Sequence, residues 1–167
     1  MHFWQKSTFW RDVGCLGIAL LFSTWMVYIY VSTERAFYYW DYGAYQNYAI
    51  RVASDLFHSP LGALLRVWAS TRRDYSDYFT LPLAPLVYWS GGSRLSYILG
   101  IALLYQLPYA LTLGAIAVRL LRGNPRIVFW LTTFITLITP MAWAPTLRGY
   151  PDVAAAWMVA LAILAYV

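Results

Sequence analysis

Charged side chains are scarce in this sequence, because they make up 11% of its 167 residues while hydrophobic side chains make up 61%. In an average soluble domain charged residues are about a quarter of the chain, and a domain of this length cannot cover so much apolar surface. The scarcity excludes a soluble globular domain and predicts a membrane protein. The net charge of +5 does not indicate a nucleic-acid partner, since the lysines and arginines flank apolar runs instead of forming a hydrophilic face.

Cysteine is nearly absent as well. Cys15 is the one cysteine, so no intrachain disulfide can form. It lies inside an apolar run, and no residues with metal-ligand spacing lie beside it. This pattern favours a packed or lipid-facing side chain over a metal ligand.

Long apolar runs dominate the chain. Three of them reach about the 20 residues that a membrane-spanning helix needs, at 13–33, 95–118 and 127–146. A fourth run begins at Val153 and is still apolar at Val167, about a turn short of a full span. We therefore predict one all-α transmembrane domain over residues 1–167, a multi-span helical bundle truncated in its fourth span.

Polar and proline residues interrupt the later spans. Pro108, Pro140 and Pro145 are predicted to kink the helices that contain them, because proline removes a backbone donor. Gln106 is a single polar side chain in an apolar stretch, and it is expected to form a hydrogen bond with a neighbouring helix.

Basic residues orient the spans. They precede the first span and fill the short turn between the second and third, at Lys6, Arg11, Arg119, Arg122 and Arg126. Basic residues in short loops favour the cytoplasmic side. The N-terminus is therefore predicted to be cytoplasmic, with the long first loop, residues 34–94, and the turn 147–152 together on the outer face.

The outer loop contains two predicted amphipathic helices that lie on the membrane. In the first, apolar and polar side chains separate onto opposite faces at helical spacing, with Tyr45, Ala49, Val52 and Leu56 opposite Asn47, Arg51, Ser54 and His58. The second has Ser59 as its N-cap, Pro60 as its first residue, and an apolar stripe formed by Leu61, Leu64, Leu65 and Trp68. Residues 70–85 after it are predicted to form a loop.

Two aspartates lie at span ends on the predicted outer face. Asp41 follows the first span in the aromatic stretch FYYWDYG, and Asp152 opens the fourth span in RGYPDVAAAW. Together with the two juxtamembrane helices, this arrangement resembles the N-terminal part of GT-C fold glycosyltransferases, a superfamily that includes the protein O-mannosyltransferases and the aminoarabinose transferase of lipid A. Many relatives have an Asp-Glu pair after the first span, whereas Asp41 is followed by Tyr42.

The resemblance implies a glycosyltransferase of the bacterial inner membrane. Such enzymes move a sugar, usually with inversion, from a polyprenyl-phosphate donor to a lipid, glycan or protein acceptor on the outer face. It implies Asp41 as the general base and Asp152 as a second site carboxylate, which in some branches helps to hold a divalent cation. Substrate contacts are expected from phosphate-binding arginines and stacking aromatics, namely Arg72, Arg73, Arg148, Trp40 and Tyr45.

Other interpretations of the same residues stay open. Asp41 can act as a helix N-cap, and Asp152 can stabilise the dipole of its helix. Arg72 and Arg73 can pair with nearby aspartates in a solvated loop. The alternative functions are a transporter, in which both aspartates bind a cation or proton, and a non-catalytic membrane subunit. A transporter is expected to have ionisable residues near the middle of the membrane, and no acid falls inside a predicted span.

Overall fold

The structure, a computed structural model, describes residues 6–35, 41–72 and 76–167, with side chains from Phe9 in the first helix and from Gly43 in the second. All secondary structure in these ranges is helical. In chain order the elements are α1 (Lys6–Thr33), α2 (Asp41–His58), α3 (Pro60–Ser70), a 3₁₀ helix (Asp77–Leu83), α4 (Ala84–Trp89), α5 (Arg94–Ile101), a π-helical turn (Ala102–Gln106), α6 (Leu107–Leu120), α7 (Pro125–Ile138), α8 (Pro140–Arg148) and α9 (Asp152–Tyr166).

Within the described ranges, two helical stretches are long and apolar enough to cross a membrane. They are Phe9–Thr33 in α1 and the continuous stretch Arg94–Leu120, which joins α5, the π-helical turn and α6. The pair α7 and α8 makes a third span if it is counted as one, and α9 is a shorter apolar helix. The described part of the chain is therefore all-helical and contains two or three candidate membrane-spanning stretches.

The predicted span 127–146 is broken. Its two halves, α7 and α8, are bent by 55° at the break, and Pro140 is the first residue of α8. Proline has no backbone donor and its ring clashes with the preceding turn, so α7 ends before Pro140. The kink predicted at Pro140 is confirmed.

Contacts among the helix ends divide these ends into the two groups that the sequence predicts. At one end, which we call the Glu34 end, Glu34 after α1 lies 3.5 Å from Arg94 at the start of α5. There Arg94 also donates a hydrogen bond to the carbonyl of Arg148 at the end of α8, over 3.1 Å. At the opposite end, the Asp12 end, Arg126 of α7 lies 2.6 Å from Asp12 of α1. Glu34 and Arg94, at the two ends of the segment 34–94, therefore meet the turn after α8 at the Glu34 end.

Much of the apolar surface of α1 is uncovered. Trp10, Leu21 and Trp25 are 68, 72 and 56% exposed. The buried side of α1 includes a narrow stripe of Ala19, Ser23 and Val27, spaced four residues apart, and small residues let neighbouring helices approach closely. Apolar side chains in such numbers are expected on the surface of a helix that faces lipid.

Helix α2 has the two faces that its sequence predicts. Ala49 and Val52 are buried, whereas Asn47 and Arg51 are exposed. The buried face, however, packs against α3, the 3₁₀ helix and α4. The apolar face of α2 is thus covered by protein, in contrast to the predicted position on the membrane.

Helix α3 begins at Pro60 as predicted, and Ser59 occupies the N-cap position, but the Ser59 side chain makes no capping hydrogen bond. Its buried face consists of the smaller side chains, Ala63, Val67 and Ser70. The predicted apolar stripe lies on the opposite, exposed face, and Trp68 in this stripe is 74% exposed. Of the two amphipathic helices, α3 is therefore the one with an uncovered apolar face.

Part of the predicted loop 70–85 is helical. Residues 77–83 form the 3₁₀ helix, in which the side chain of Ser76 accepts a hydrogen bond from the Tyr78 backbone N–H over 3.3 Å. Tyr105 of the π-helical turn donates a hydrogen bond to the carbonyl of Phe79 over 2.6 Å. Contacts with a distant span, which sequence patterns do not reveal, stabilise this segment.

Candidate functional site

The turn between α8 and α9, with the sequence RGYPD, lies at the Glu34 end. Helix α8 ends at Arg148, and Gly149 has a φ of 91°, in the left-handed region that favours glycine. A Cβ atom on Gly149 would lie 2.8 Å from Nη1 of Arg94 and 3.2 Å from the ring of Tyr97. Glycine is therefore required both by the backbone conformation and by the close approach of α5. The turn ends at Asp152, which is the first residue of α9.

A mostly buried polar network surrounds this turn. The side chains of Arg94 and Glu34 are 14 and 7% exposed, and their closest charged atoms, Nε and Oε2, are 3.5 Å apart. Nη1 of Arg94 donates to the side-chain oxygen of Gln46 in α2 over 3.4 Å. The Tyr97 hydroxyl, which is buried, donates to the carbonyl of Gly149 over 2.9 Å. The network joins α1, α2 and α5 to the α8–α9 turn.

Asp152 lies at the rim of a cavity of about 470 Å³. The cavity lies between α6, the α7–α8 bend and α9, and its lining residues are Gln106, Tyr109, Ile135, Thr136, Thr139, Met141, Ala142, Pro145, Asp152, Val153 and Ala156. The walls are largely apolar, and the Asp152 side chain belongs to an exposed residue. An amphiphilic molecule is the ligand class that an apolar cavity with one carboxylate at its rim fits best.

Gln106 is the fully buried polar residue of this cavity. Its side-chain oxygen accepts a hydrogen bond from the Thr146 hydroxyl of α8 over 3.1 Å, which confirms the predicted bond to a neighbouring helix. The amide nitrogen of Gln106 has no hydrogen-bond partner among the described residues. Gln106 lies in the π-helical turn, and such turns are frequent at functional sites.

The first turn of α2 approaches the same end of the bundle. The rings of Tyr45 in α2 and Tyr150 in the α8–α9 turn make an edge-to-face contact with centroids 6.0 Å apart. Helix α2 begins at Asp41, about one helical turn before Tyr45. Tyr45 therefore links the start of α2 to the turn that precedes Asp152.

Of the other predicted site residues, those that the structure describes do not line the cavity. Arg72, in the turn after α3, and Arg148 are exposed, and neither they nor Tyr45 line it. Trp40 and Arg73 lie outside the described residues, and so does the side chain of Asp41. Asp152 thus lines the cavity, Tyr45 contacts the turn before it, and Arg72 and Arg148 lie on the surface.

The described residues do not form a ligand set for a divalent cation. Among the side chains of residues 9–35, 43–72 and 76–167, no three His, Cys, Asp or Glu residues are grouped closely enough to hold a metal ion. Binding of Mg²⁺ or Ca²⁺ generally needs several oxygen ligands.

A larger cavity, of about 770 Å³, lies at the Asp12 end between α1, α6 and α7. Its lining is almost entirely apolar, apart from Asp12 and Arg126. Arg126 donates two hydrogen bonds to the Asp12 carboxylate, over 2.8 and 2.6 Å, and the Trp130 indole donates a third over 2.9 Å. These groups satisfy one another, so the smaller cavity with Asp152 is the better candidate for chemistry.

Sequence reasoning did not single out Glu34, Arg94 or Tyr97 as functional. A signal for the first two was available, since an acid directly follows the first span and an arginine directly precedes the second, at the same predicted end. Opposite charges at matched span ends favour an ion pair. No comparable signal identifies Tyr97, because its partner is a backbone carbonyl 52 residues away.

The sequence was compared with family models, with curated proteins and with solved structures, and no match was found in any of the three.

Proposed function

We propose that this chain is part of a membrane-bound glycosyltransferase that takes a sugar from a polyprenyl-phosphate donor. The observation that carries the proposal is the position of Asp152 at the rim of a largely apolar cavity, beside the turn that contacts Tyr45 of α2. Carboxylates next to an apolar cavity suit a reaction between a lipid-borne donor and a water-borne acceptor.

The donor combines an apolar chain with a charged phosphate. The cavity walls of α6, α7, α8 and α9 offer apolar contacts for the first isoprene units. Arg148 is exposed four residues before Asp152, and a guanidinium matches the geometry of phosphate oxygens. In this proposal Arg148 stabilises the phosphate. Arg72 and Arg73 are proposed as further phosphate contacts, and Trp40 and Tyr45 as sugar contacts, on the sequence resemblance alone.

The reaction is a displacement at the anomeric carbon. The oxygen of an acceptor hydroxyl attacks this carbon on the face opposite the phosphate, and Asp41 accepts the hydroxyl proton as general base. The bond between the anomeric carbon and the phosphate oxygen breaks, and polyprenyl phosphate leaves with the bonding electrons. Asp152 holds hydroxyl groups of the sugar or the acceptor by hydrogen bonds. The product has inverted configuration, and the acceptor is a lipid, a glycan or a protein.

The distribution of basic residues supports a location for this reaction. Arg119, Arg122 and Arg126 lie in or next to the short turn between α6 and α7, and short basic loops favour the cytoplasmic side. We assign the Asp12 end to the cytoplasm and the Glu34 end, with Asp41 and Asp152, to the outer face of the bacterial inner membrane.

Sugar transfer in membranes tests the proposal. The wild-type protein, Asp152→Asn, Asp41→Asn and the control Asp55→Asn are expressed to equal levels and supplied with radiolabelled polyprenyl-phosphate sugars. Asp55 is a suitable control because it pairs with Arg66 over 2.7 Å on the surface of the same segment. We expect Asp41→Asn to lower transfer by a factor of about 10² or more, as loss of a general base does. We expect Asp152→Asn to lower it as well, and the control to transfer like wild type.

Two results contradict this proposal. Equal transfer by wild type and Asp152→Asn removes the site carboxylate from the mechanism. Absence of transfer by the wild-type protein with every polyprenyl-phosphate sugar rejects the donor class, and favours the transporter or the non-catalytic subunit.

A further inference from the structure

We propose that Arg94 and Tyr97 are positioning residues, which hold the α8–α9 turn and thereby fix the start of α9 at Asp152. This inference rests on the proposed function, in which Asp152 is a site carboxylate. It adds to the site three residues that do not line the cavity, namely Arg94, Tyr97 and Glu34.

Helix α8 ends in carbonyl groups that α5 satisfies. Arg94 donates to the carbonyls of Leu147 and Arg148 over 3.5 and 3.1 Å, and Tyr97 donates to the next carbonyl, Gly149, over 2.9 Å. The last carbonyls of a helix have no partners within the helix, and a cation at this end also stabilises the helix dipole. Side chains of α5 therefore cap α8 at three successive carbonyls.

Glu34 makes this arrangement possible. A guanidinium that is only 14% exposed requires a counter-charge, and the Glu34 carboxylate lies 3.5 Å from its Nε atom. The planar fork of arginine reaches Gln46 and two carbonyls at once, in directions that a lysine ammonium cannot reproduce together. The end of α1 and the first part of α2 are thereby linked to the turn.

The position of Asp152 depends on this turn. Its carboxylate makes no hydrogen bond or ion pair with another described residue, so the backbone position of Asp152 sets the region that the carboxylate can reach. Only Tyr150 and Pro151 separate it from Gly149, and proline restricts the backbone between them. A displacement of the carbonyls at the end of α8 is therefore expected to displace Asp152 by nearly the same distance.

Two variants remove the contacts without leaving a buried charge. Tyr97→Phe deletes one hydroxyl, and the double variant Glu34→Gln with Arg94→Gln removes both charges of the pair. The matched control is Asp55→Asn with Arg66→Gln, which removes an ion pair whose arginine side chain is 58% exposed. If the first double variant does not fold, Tyr97→Phe still tests the inference.

Two measurements are made on each variant in lipid nanodiscs. The first is sugar transfer, separated into kcat and KM. The second is the mobility of a spin label at Ala155→Cys in a Cys15→Ser background, because Ala155 is exposed in the first turn of α9. We expect kcat to fall by up to about 10²-fold, since a site carboxylate displaced by about 1 Å has such an effect, with KM nearly unchanged and higher label mobility. The control is expected to match wild type in both measurements.

The outcomes separate this inference from the proposed function. Unchanged label mobility in folded Tyr97→Phe and in the folded Glu34→Gln, Arg94→Gln double variant overturns the positioning role. Loss of transfer in Asp152→Asn together with normal kcat in both variants also overturns it, while leaving the proposed function intact. Normal transfer in Asp152→Asn rejects the proposed function, and the positioning role with it, even if label mobility rises.

Discussion

Replacing Gly114 with alanine is expected to destabilise the contact between α6 and α7. A Cβ atom on Gly114 would lie 2.6 Å from the Thr133 hydroxyl oxygen and 2.8 Å from the carbonyl oxygen of Phe129. The carbonyl belongs to the backbone of α7, so it cannot rotate away. Thr133 is fully buried, and its hydroxyl already donates to the same carbonyl over 2.9 Å. Relief of the clash therefore requires the two helices to separate by several tenths of an ångström.

The magnitude follows from the balance of two effects. Overpacking of a close contact generally destabilises by about 1–3 kcal/mol, whereas replacing glycine with alanine inside a helix stabilises by about 1 kcal/mol. Gly17 in α1 provides the matched control, because its added Cβ atom would meet nothing within 4 Å. The gain in helix propensity cancels between the two variants. We expect Gly114→Ala to be less stable than Gly17→Ala by about 1–3 kcal/mol.

Thermal unfolding in detergent micelles, followed by near-ultraviolet circular dichroism, measures this difference. For a chain of this size about 1 kcal/mol corresponds to about 2–4 °C, so the midpoints are expected to differ by about 2–12 °C. Adding Thr133→Ala to Gly114→Ala removes the closer of the two contacts and is expected to recover part of the loss. Equal midpoints for Gly114→Ala and Gly17→Ala would refute the close approach of α6 and α7.

Two further predictions concern the buried amide and the ion pair at the Asp12 end. Thr146→Val removes the hydrogen bond of the Gln106 side chain and should lower the free energy of unfolding by about 1–3 kcal/mol, whereas adding Gln106→Leu should restore the lost stability. Denaturant titration of the single and double variants measures the difference, and equal stability of the two contradicts the prediction. Asp12→Asn removes the partly exposed ion pair with Arg126, and it should lower the thermal midpoint more at low than at high salt because salt screens exposed charges. A midpoint equal to that of the wild type at low salt contradicts this prediction.

Local sequence patterns were sufficient to predict most of the helices. The two faces of α2 and the start of α3 at Ser59 and Pro60 agree with the structure, because side-chain periodicity and capping are properties of a few neighbouring residues. The helices in residues 77–89 were missed. Prolines in this stretch indicated a loop, and the contact of Tyr105 with Phe79 joins positions 26 residues apart.

The candidate site was predicted in part. Asp152 lies at a cavity, and Tyr45 contacts the turn that precedes it. The cavity itself was not predictable, since it arises from the 55° bend between α7 and α8 and from the way these helices face α6 and α9. The roles of Asp41 and Asp152 in sugar transfer stay predictions until transfer is measured.

The sequence by itself determined that this protein is helical and apolar enough for a membrane, and which helix ends meet. Hydrophobic length and the location of charges at span ends are sufficient for these conclusions, because burying a charge in a bilayer is unfavourable by several kcal/mol. Only the tertiary structure decided that protein covers the apolar face of α2 while that of α3 is exposed. It also decided that Arg94 caps α8, through contacts 53 and 54 residues apart in the chain. Such contacts depend on the packing of whole helices, which no local pattern encodes.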